Sequence, residues 1–285
     1  MCYTLIMSEK ILKFVSENET MLKEELRNHL SRKYYRHLKS INASFLVNNE
    51  IKKLHEQVKI GDIIEIVAVE EKKDSNWPII DMDLDIVYEN EHYLIVNKKG
   101  GLLTIPTKGE PVSLYQLLSQ YLNQKEIHIL NRLDKETCGL SVIAKDRYSA
   151  YLLQPTHEKM VRKYLCVVLG DVVEDGHIEN YIKKSLDSNK REITDENSGK
   201  IAISDYRVIK RFGDKTLLEF ELQTGRTHQI RLHSSNMGHP IIGDGLYGFK
   251  DDNLMLASYY VCFTDPYTNE KIEIIHKPNW CEVEN

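Results

Sequence analysis

A reactive carboxylate has to be exposed yet held on a rigid frame. The stretch His128–Asp146, HILNRLDKETCGLSVIAKD, has the composition to provide one. An apolar run enters a cluster of charge and polarity (Asn131, Arg132, Asp134, Lys135, Glu136), and the chain leaves through Gly139 into a second apolar run, Leu140 to Ala144. That pattern is strand, exposed polar loop, strand. Taken alone, it reads equally as a solvated hairpin tip whose carboxylate pairs with Arg132 or Lys135. A second dense polar cluster lies at Leu222–His233, LQTGRTHQIRLH, where Gly225 gives a turn and Arg226 and Arg231 bracket His228 and Gln229. Read as a strand, this segment points residues 227, 229 and 231 to one side and 228 and 230 to the other. So many hydrogen-bonding groups beside an apolar strand would be costly without partners, which favours a site over a polar edge.

Two other chemistries fit less well. His228, His233, His239 and Asp244 offer ligand atoms for a metal-dependent hydrolase, but their spacing matches neither an i, i+4 helical pair nor a recognised zinc pattern. Gly243 to Gly248 spells G-x-G-x-x-G but opens into Phe249-Lys250-Asp251-Asp252 instead of an apolar helix. It reads as a tight turn, not a dinucleotide site.

The elements that must hold these clusters follow from periodicity. Short β-type runs at Asp85–Tyr88 and Tyr93–Val96 flank a polar turn, and the Lys98-Lys99-Gly100-Gly101 loop leads to an extended segment. A helix follows, capped by Ser113 with Gln116 three residues on, and Leu114, Leu117, Leu118, Tyr121 and Leu122 share one face. Asp146 to Lys159 reads as a helix broken at Pro155, and Lys163–Leu169 as a buried strand ended by Gly170. Further strands are expected at Tyr206–Ile209, Thr216–Leu222, Gln229–Leu232, Leu254–Phe263 and Lys271–Ile275, with a basic surface loop at Lys183–Arg191. Helices are few after Lys159, so residues 83–285 predict an α+β domain with a mixed or antiparallel sheet.

Residues 1–69 read as a separate small α/β domain, joined by a charged linker over 70–82. Leu22, Leu26 and Leu30 fall at helical spacing, followed by SRKYYRHLK, a short strand at Ser44–Val47, a turn at Asn48-Asn49, and a strand from Ile63 to Val69. The chain as a whole carries a net charge of -5 with pI near 6.1, which counts against indiscriminate binding to nucleic acid. Residues 26–60, however, hold eight basic side chains against Glu50 and Glu56. With tyrosines interleaved among Arg32, Lys33 and Arg36, that segment predicts a local RNA-binding face. A content of 41% hydrophobic and 28% charged residues is ordinary for a globular protein. No apolar run approaches the ~20 residues that cross a bilayer. The start lacks the pattern of a signal peptide, and five scattered cysteines read as reduced thiols, so a cytoplasmic protein is expected.

Together, NRLDKETCGLSVIAKD, RKYLCVVLG and TGRTHQIRLHSSNMGHPIIGDGLYG resemble the RluA family of pseudouridine synthases in order, spacing and residue type, and VYENEHYLIVNKKGGLLTIP looks like the family's first motif. The resemblance runs from about Asp83 to the C-terminus. Met21 to Val69 resembles, more loosely, the alpha-L type RNA-binding domain, with Asn48-Asn49 where that family usually has Asn-Gly. Departures in the larger region are Asn131 for a frequent His, Lys99 for Pro and Cys138 for Ser. The resemblance implies isomerisation of uridine to pseudouridine in structured ribosomal or transfer RNA, without cofactor or metal, and a monomer with RNA as its partner is expected. It implies that Asp134 is the essential carboxylate, acting either on the anomeric carbon or on the ribose 2′ proton. Arg231 is then expected to pair with Asp134, and Tyr164 to stack on the target base and assist proton removal. Arg132 is expected to fill the space of the flipped nucleotide, and Asn131, Arg226, His228 and Gln229 to contact RNA nearby. A non-catalytic RNA-binding protein on the same scaffold is the competing reading; the joint presence of Asp134, Tyr164 and Arg231 speaks against it.

Overall fold

A computed structural model describes residues 9–30, 32–68, 79–107, 112–123, 127–158, 160–251 and 253–282. The chain divides into two compact units, residues 1–74 and 75–285. Most of the expected linker, residues 70–78, lies outside the described residues.

The first unit runs β1 (Glu9–Val15), β2 (Thr20–Met21), α1 (Leu22–His29), α2 (Arg32–Ser40), β3 (Ser44–Val47), β4 (Glu50–Ile51), β5 (Gln57–Val58) and β6 (Ile63–Ala68). Its main sheet has the order β1-β6-β3-β4, and β2 pairs with β5. The expected helical spacing is realised: Leu22 and Leu26 are fully buried and Leu30 follows as the C-cap. Asn48 and Asn49 both have positive φ, 51° and 71°, the geometry of a two-residue hairpin turn, which asparagine tolerates almost as well as glycine. The Asn48 side chain adds a clasp, accepting from the Ile63 amide and donating to Asp62, both at 2.9 Å. On α2, Arg32, Arg36 and Lys39 are exposed, and the side chain of Lys33 lies outside the described residues. The tyrosines expected to stack on RNA are instead core residues: Tyr34 and Tyr35 are 4% and 7% exposed. Packing α2 against its unit required an apolar stripe, and Tyr34, Tyr35 and Leu38 supply it.

The second unit comprises β7 (Ile86–Glu89), β8 (Tyr93–Lys98), α3 (Leu114–Tyr121), β9 (His128–Ile129), β10 (Cys138–Ala144), α4 (Arg147–Glu158), β11 (Val161–Leu169), β12 (Gly176–Lys184), β13 (Arg191–Thr194), β14 (Lys200–Phe212), β15 (Lys215–Leu222), α5 (Gln229–Asn236), β16 (Leu256–Thr264) and β17 (Lys271–Ile275). Among the described residues these strands form one sheet, β13-β12-β14-β15-β11-β16-β10-β8-β7, with β17 on β16 and β9 on β10. The pairings are antiparallel except β10 with β16, so the unit is α+β with a mixed sheet. Both faces of the central strands are covered, which is why they read as continuous apolar runs. Tyr93 and Ile95 join Leu140 and Val142 on one side of the sheet, while Leu94 and Val96 meet Leu114, Leu117 and Leu118 of α3 on the other. Likewise Tyr164, Cys166 and Val168 pack with Leu133 and Ile230, and Leu165 and Val167 with Ile242 and Tyr259.

Three expectations are corrected. The strand entering the charged loop is only the two-residue β9. Helix α4 continues through Pro155 to Glu158; near a C-terminal end the ladder a proline interrupts is already short. Gln229–Leu232 is helix, not strand: Gln229 to Ser234 are all buried in α5, and a helix buried on every side shows no 3.6-residue apolar stripe.

Candidate active site

The charged loop, residues 130–137, is fastened from four directions. The Asn131 side chain donates to the Leu140 carbonyl (3.1 Å) and accepts from the Val142 amide (2.6 Å), and Ser141 Oγ donates to the Asn131 carbonyl (2.9 Å). Thr104 Oγ1 donates to the Leu133 carbonyl at 2.6 Å and accepts from the Leu133 amide at 3.2 Å. Lys98 Nζ donates to the Lys135 carbonyl at 3.0 Å, and the Gly101 amide donates to the same oxygen. The Thr137 amide closes the turn onto the Asp134 carbonyl. Within this frame Asp134 is half-buried and Arg132 is exposed. Asn131 is 3% exposed, and its side-chain amide bonds both the Leu140 carbonyl and the Val142 amide of β10. It is therefore a brace of the loop rather than an RNA contact.

Gly139 explains how the loop meets the sheet. Its φ is 106°, and a Cβ there would sit 2.2 Å from the Ser258 carbonyl oxygen. Only glycine allows β10 to approach β16 this closely. Gly139 pairs with Ser258, and Ser258 pairs in turn with Tyr164 on β11, so one row across three strands connects the end of the loop to Tyr164. The Tyr164 phenol is buried, and that burial pushes its pKa up; Arg162 opposes the shift and the charge of Asp134 adds to it.

Arg231 does not bond to Asp134. Its Nε and Nη2 donate to the Asp244 carboxylate at 2.8 and 2.6 Å, a two-pronged pair with both side chains buried, and the guanidinium carbon lies 5.5 Å from the centre of the Tyr247 ring. Asp244 is held further by the amides of Leu246 (2.9 Å) and Tyr247 (3.1 Å). The expected ion pair is thus corrected: an acid in the Gly243–Gly248 turn takes the guanidinium, because that turn wraps its amides and carboxylate around the end of α5. Burial alone would lower the Arg231 pKa; the bond to Asp244, the charge of Asp244 and then the charge of Asp134 outweigh it, and the group stays cationic. Asp134 therefore acts on Arg231 through space.

His228 caps α5 in a left-handed conformation (φ 58°), its Nδ1 3.0 Å from Tyr247 Oη, and burial lowers its pKa against the opposing pull of Asp134. Tyr247 Oη also accepts from the Arg191 amide at 2.5 Å. Gln229 is buried and spends its amide on Thr224, the Arg226 backbone, Ile203 and Ser204, so it sets the N-terminus of α5 instead of meeting RNA. Arg226 Nε donates to the Ile201 carbonyl at 2.7 Å while the residue stays half-exposed. The proposed metal ligands do not converge: Asp244 holds Arg231, His233 Nδ1 faces Ser204 at 3.1 Å and His239 Nδ1 faces the Leu169 carbonyl at 2.8 Å. Among the described residues no three His, Cys, Asp or Glu side chains are grouped to hold a metal.

Tyr164, His228, Arg231 and Tyr247 thus each lie within electrostatic reach of Asp134. Lys98, Thr104, Asp244 and Tyr247 also surround this site, though no local spacing marks them; Lys98, buried at the end of β8 after the apolar run Tyr93–Val96, carried the clearest signal. Arg32, Lys33 and Arg36 belong to the other unit.

Residues 92–236, which hold Asp134, Tyr164, His228 and Arg231, match the family of RNA pseudouridylate synthases. The chain belongs to that family. It is 35% identical over 191 residues to the ribosomal large subunit pseudouridine synthase D of Pseudomonas aeruginosa, covering 64% of this chain and 59% of that protein. To the protein of the same name from Buchnera aphidicola subsp. Schizaphis graminum it is 35% identical over 230 residues, covering 76% and 72%. The chain therefore spans less than two thirds of the length of the first of these relatives and more of the second. The solved structure of human RNA pseudouridylate synthase domain containing 1 has the same fold, with a TM-score of 0.60 at 22% identity over 70% of this chain and 86% of that one.

Proposed function

We propose that the chain converts uridine to pseudouridine in ribosomal RNA, with Asp134 as the reacting carboxylate. The observation that carries this reading is the convergence of Asp134, Tyr164 and Arg231 from a loop, a strand and a helix that lie far apart in sequence. In the reaction the bond from N1 of uracil to C1′ of ribose breaks, a bond from C5 to C1′ forms, and the proton on C5 is passed on as N1 regains one. No redox step or group transfer is involved. Asp134 acts on the ribose, from a loop whose backbone is fixed on both sides of it. The Tyr164 ring stacks on the uracil, and its buried, protonated phenol sits where a proton leaves C5. Arg231, fixed by Asp244 and Tyr247, sets a permanent positive field beside Asp134 at no cost of reorganisation. Arg132 is exposed on the loop next to Asp134 and occupies the space left in the RNA by the extruded nucleotide. His228 and Arg226 contact the backbone nearby, and the protein works as a monomer in the cytoplasm.

The unit of residues 1–69 binds RNA through the exposed side of α2, where Arg32 and Arg36 project from a helix whose tyrosines are turned inward. The two relatives named above are ribosomal large subunit synthases, which directs the test to ribosomal RNA. Pseudouridine is mapped across total RNA from cells with and without the protein. Loss of one or a few sites from ribosomal RNA supports the reading, and an unchanged map refutes it.

A further inference from the structure

We propose that Lys98 is a positioning residue for the reaction: its ammonium clamps the backbone beneath Asp134, and removal of one proton releases that clamp. The inference rests on Asp134 carrying the chemistry. Lys98 ends β8 with 1% of its surface exposed, and its Nζ donates to the carbonyls of Lys99 (2.9 Å), Leu102 (2.8 Å) and Lys135 (3.0 Å). An ammonium has three N–H donors and here meets three acceptors. A neutral amine has two donors and a lone pair, so one carbonyl would face a lone pair instead of a proton. Two of the three carbonyls belong to the loop after β8, and the third belongs to the residue that follows Asp134. The bond count of this one nitrogen therefore sets how tightly the two loops are tied, beside the Gly101–Lys135 and Thr104–Leu133 bonds that also join them.

The surroundings make the change reachable. Burial lowers the Lys98 pKa to about 8, against the opposing charges of Cys138 on β10 and of Glu136 and Asp134 in the catalytic loop. A cavity of about 250 Å³ lined by Lys98, Lys99, Cys138, His276, Lys277 and Trp280, among others, opens beside it and offers a route for proton exchange with solvent. Burial holds the Tyr164 phenol above the ordinary tyrosine range and Asp244 keeps Arg231 cationic, so neither titrates in the same window.

The test is the pH profile of pseudouridine formation at saturating RNA for wild type, Lys98→Arg and Cys138→Ser, with the 13Cε titration of Lys98 followed by NMR in the wild type. The wild-type kcat is expected to fall with a midpoint near pH 8 and by roughly tenfold per unit beyond it, with KM little changed. Cys138→Ser keeps the limb with its midpoint moved to lower pH, because one charge that favours the ammonium is gone. Lys98→Arg, which stays charged, loses it. Uracil ionisation is common to all three enzymes, so the differences between profiles belong to the protein. If Lys98→Arg does not fold, coincidence of the Lys98 13Cε midpoint with the kcat midpoint supports the proposal. A flat kcat from pH 7 to 9.5, a limb that persists in Lys98→Arg, or a Lys98 midpoint above 10 overturns it. Absence of pseudouridine from the wild type at every pH would refute the functional reading itself, while the lysine titration would still report the clamp.

Discussion

At the scale of residues, the site is a set of charges each held by a partner distant in sequence. Asp134 stood out because an acid among basic and polar neighbours, bounded by apolar runs, is visible along the chain. Asp244 was visible only as a poor metal ligand: its work depends on Arg231, thirteen positions earlier, and on the curl of a turn that brings the two together. Breaking that pair by Asp244→Ala leaves a buried guanidinium without its counter-charge. We expect a stability loss of about 3 kcal/mol or more in urea unfolding, together with a fall in kcat, whereas an exposed pair such as Lys271–Glu273 should cost little. His233 supplies a second test. Burial, with 0% of the residue exposed, lowers its pKa from 6.5 to about 4, so the native state prefers the neutral ring. Its contribution is fully present above pH 6.5 and is lost as pH falls towards 4, an effect on the order of 3 kcal/mol. His233→Gln should flatten the acid limb of a stability profile in that window. An unchanged limb would place the sensitivity elsewhere.

At the scale of elements, what the chain revealed depended on whether an element buries one face or all of them. The Ser113-capped helix was legible because its leucines repeat and its cap is local; the Gln116 amide does donate to Ser113 Oγ, at 3.4 Å. The inner strands were legible as apolar runs. Helix α5 was not, because its residues Gln229 to Ser234 are all buried and the partners of Gln229 and Arg231, namely Ile203, Ser204 and Asp244, are ones no local pattern displays. The tyrosines of α2 were misjudged for the opposite reason: an amphipathic ring beside arginines reads as a stacking surface until packing shows which side it faces. Gly139 ties the loop element to the sheet and gives the sharpest test at this scale. Gly139→Ala must relieve both a φ of 106° and a Cβ 2.2 Å from a backbone oxygen. We expect a loss of at least about 2 kcal/mol, read as a lower Tm, and a disproportionate loss of activity because the Asp134 loop shifts with β10. A variant as stable and active as wild type would mean that β10 and β16 do not meet as described.

At the scale of the whole molecule, an acidic chain is assigned to RNA by the distribution of its charge, not its total. Arg32, Arg36 and Lys39 of the first unit lie exposed on α2, and the chemistry proposed for the second unit rests on Asp134 in its braced loop. The two roles should separate. Removing residues 1–72 is expected to weaken RNA binding at least about tenfold at low salt, with a smaller difference at higher salt, while the single-turnover rate at saturating RNA stays within a few-fold of the full chain. Equal loss of both would assign the first unit a part in the active site. The central claim, that one carboxylate performs the isomerisation, is tested most directly by Asp134→Asn, which preserves shape and removes charge. Purified wild type and variant are each incubated with unmodified ribosomal RNA, and pseudouridine and RNA affinity are measured on the same samples. The variant should bind RNA within about threefold of wild type and form pseudouridine at least about a thousandfold more slowly. Pseudouridine formed by Asp134→Asn at a rate near that of wild type would contradict the account.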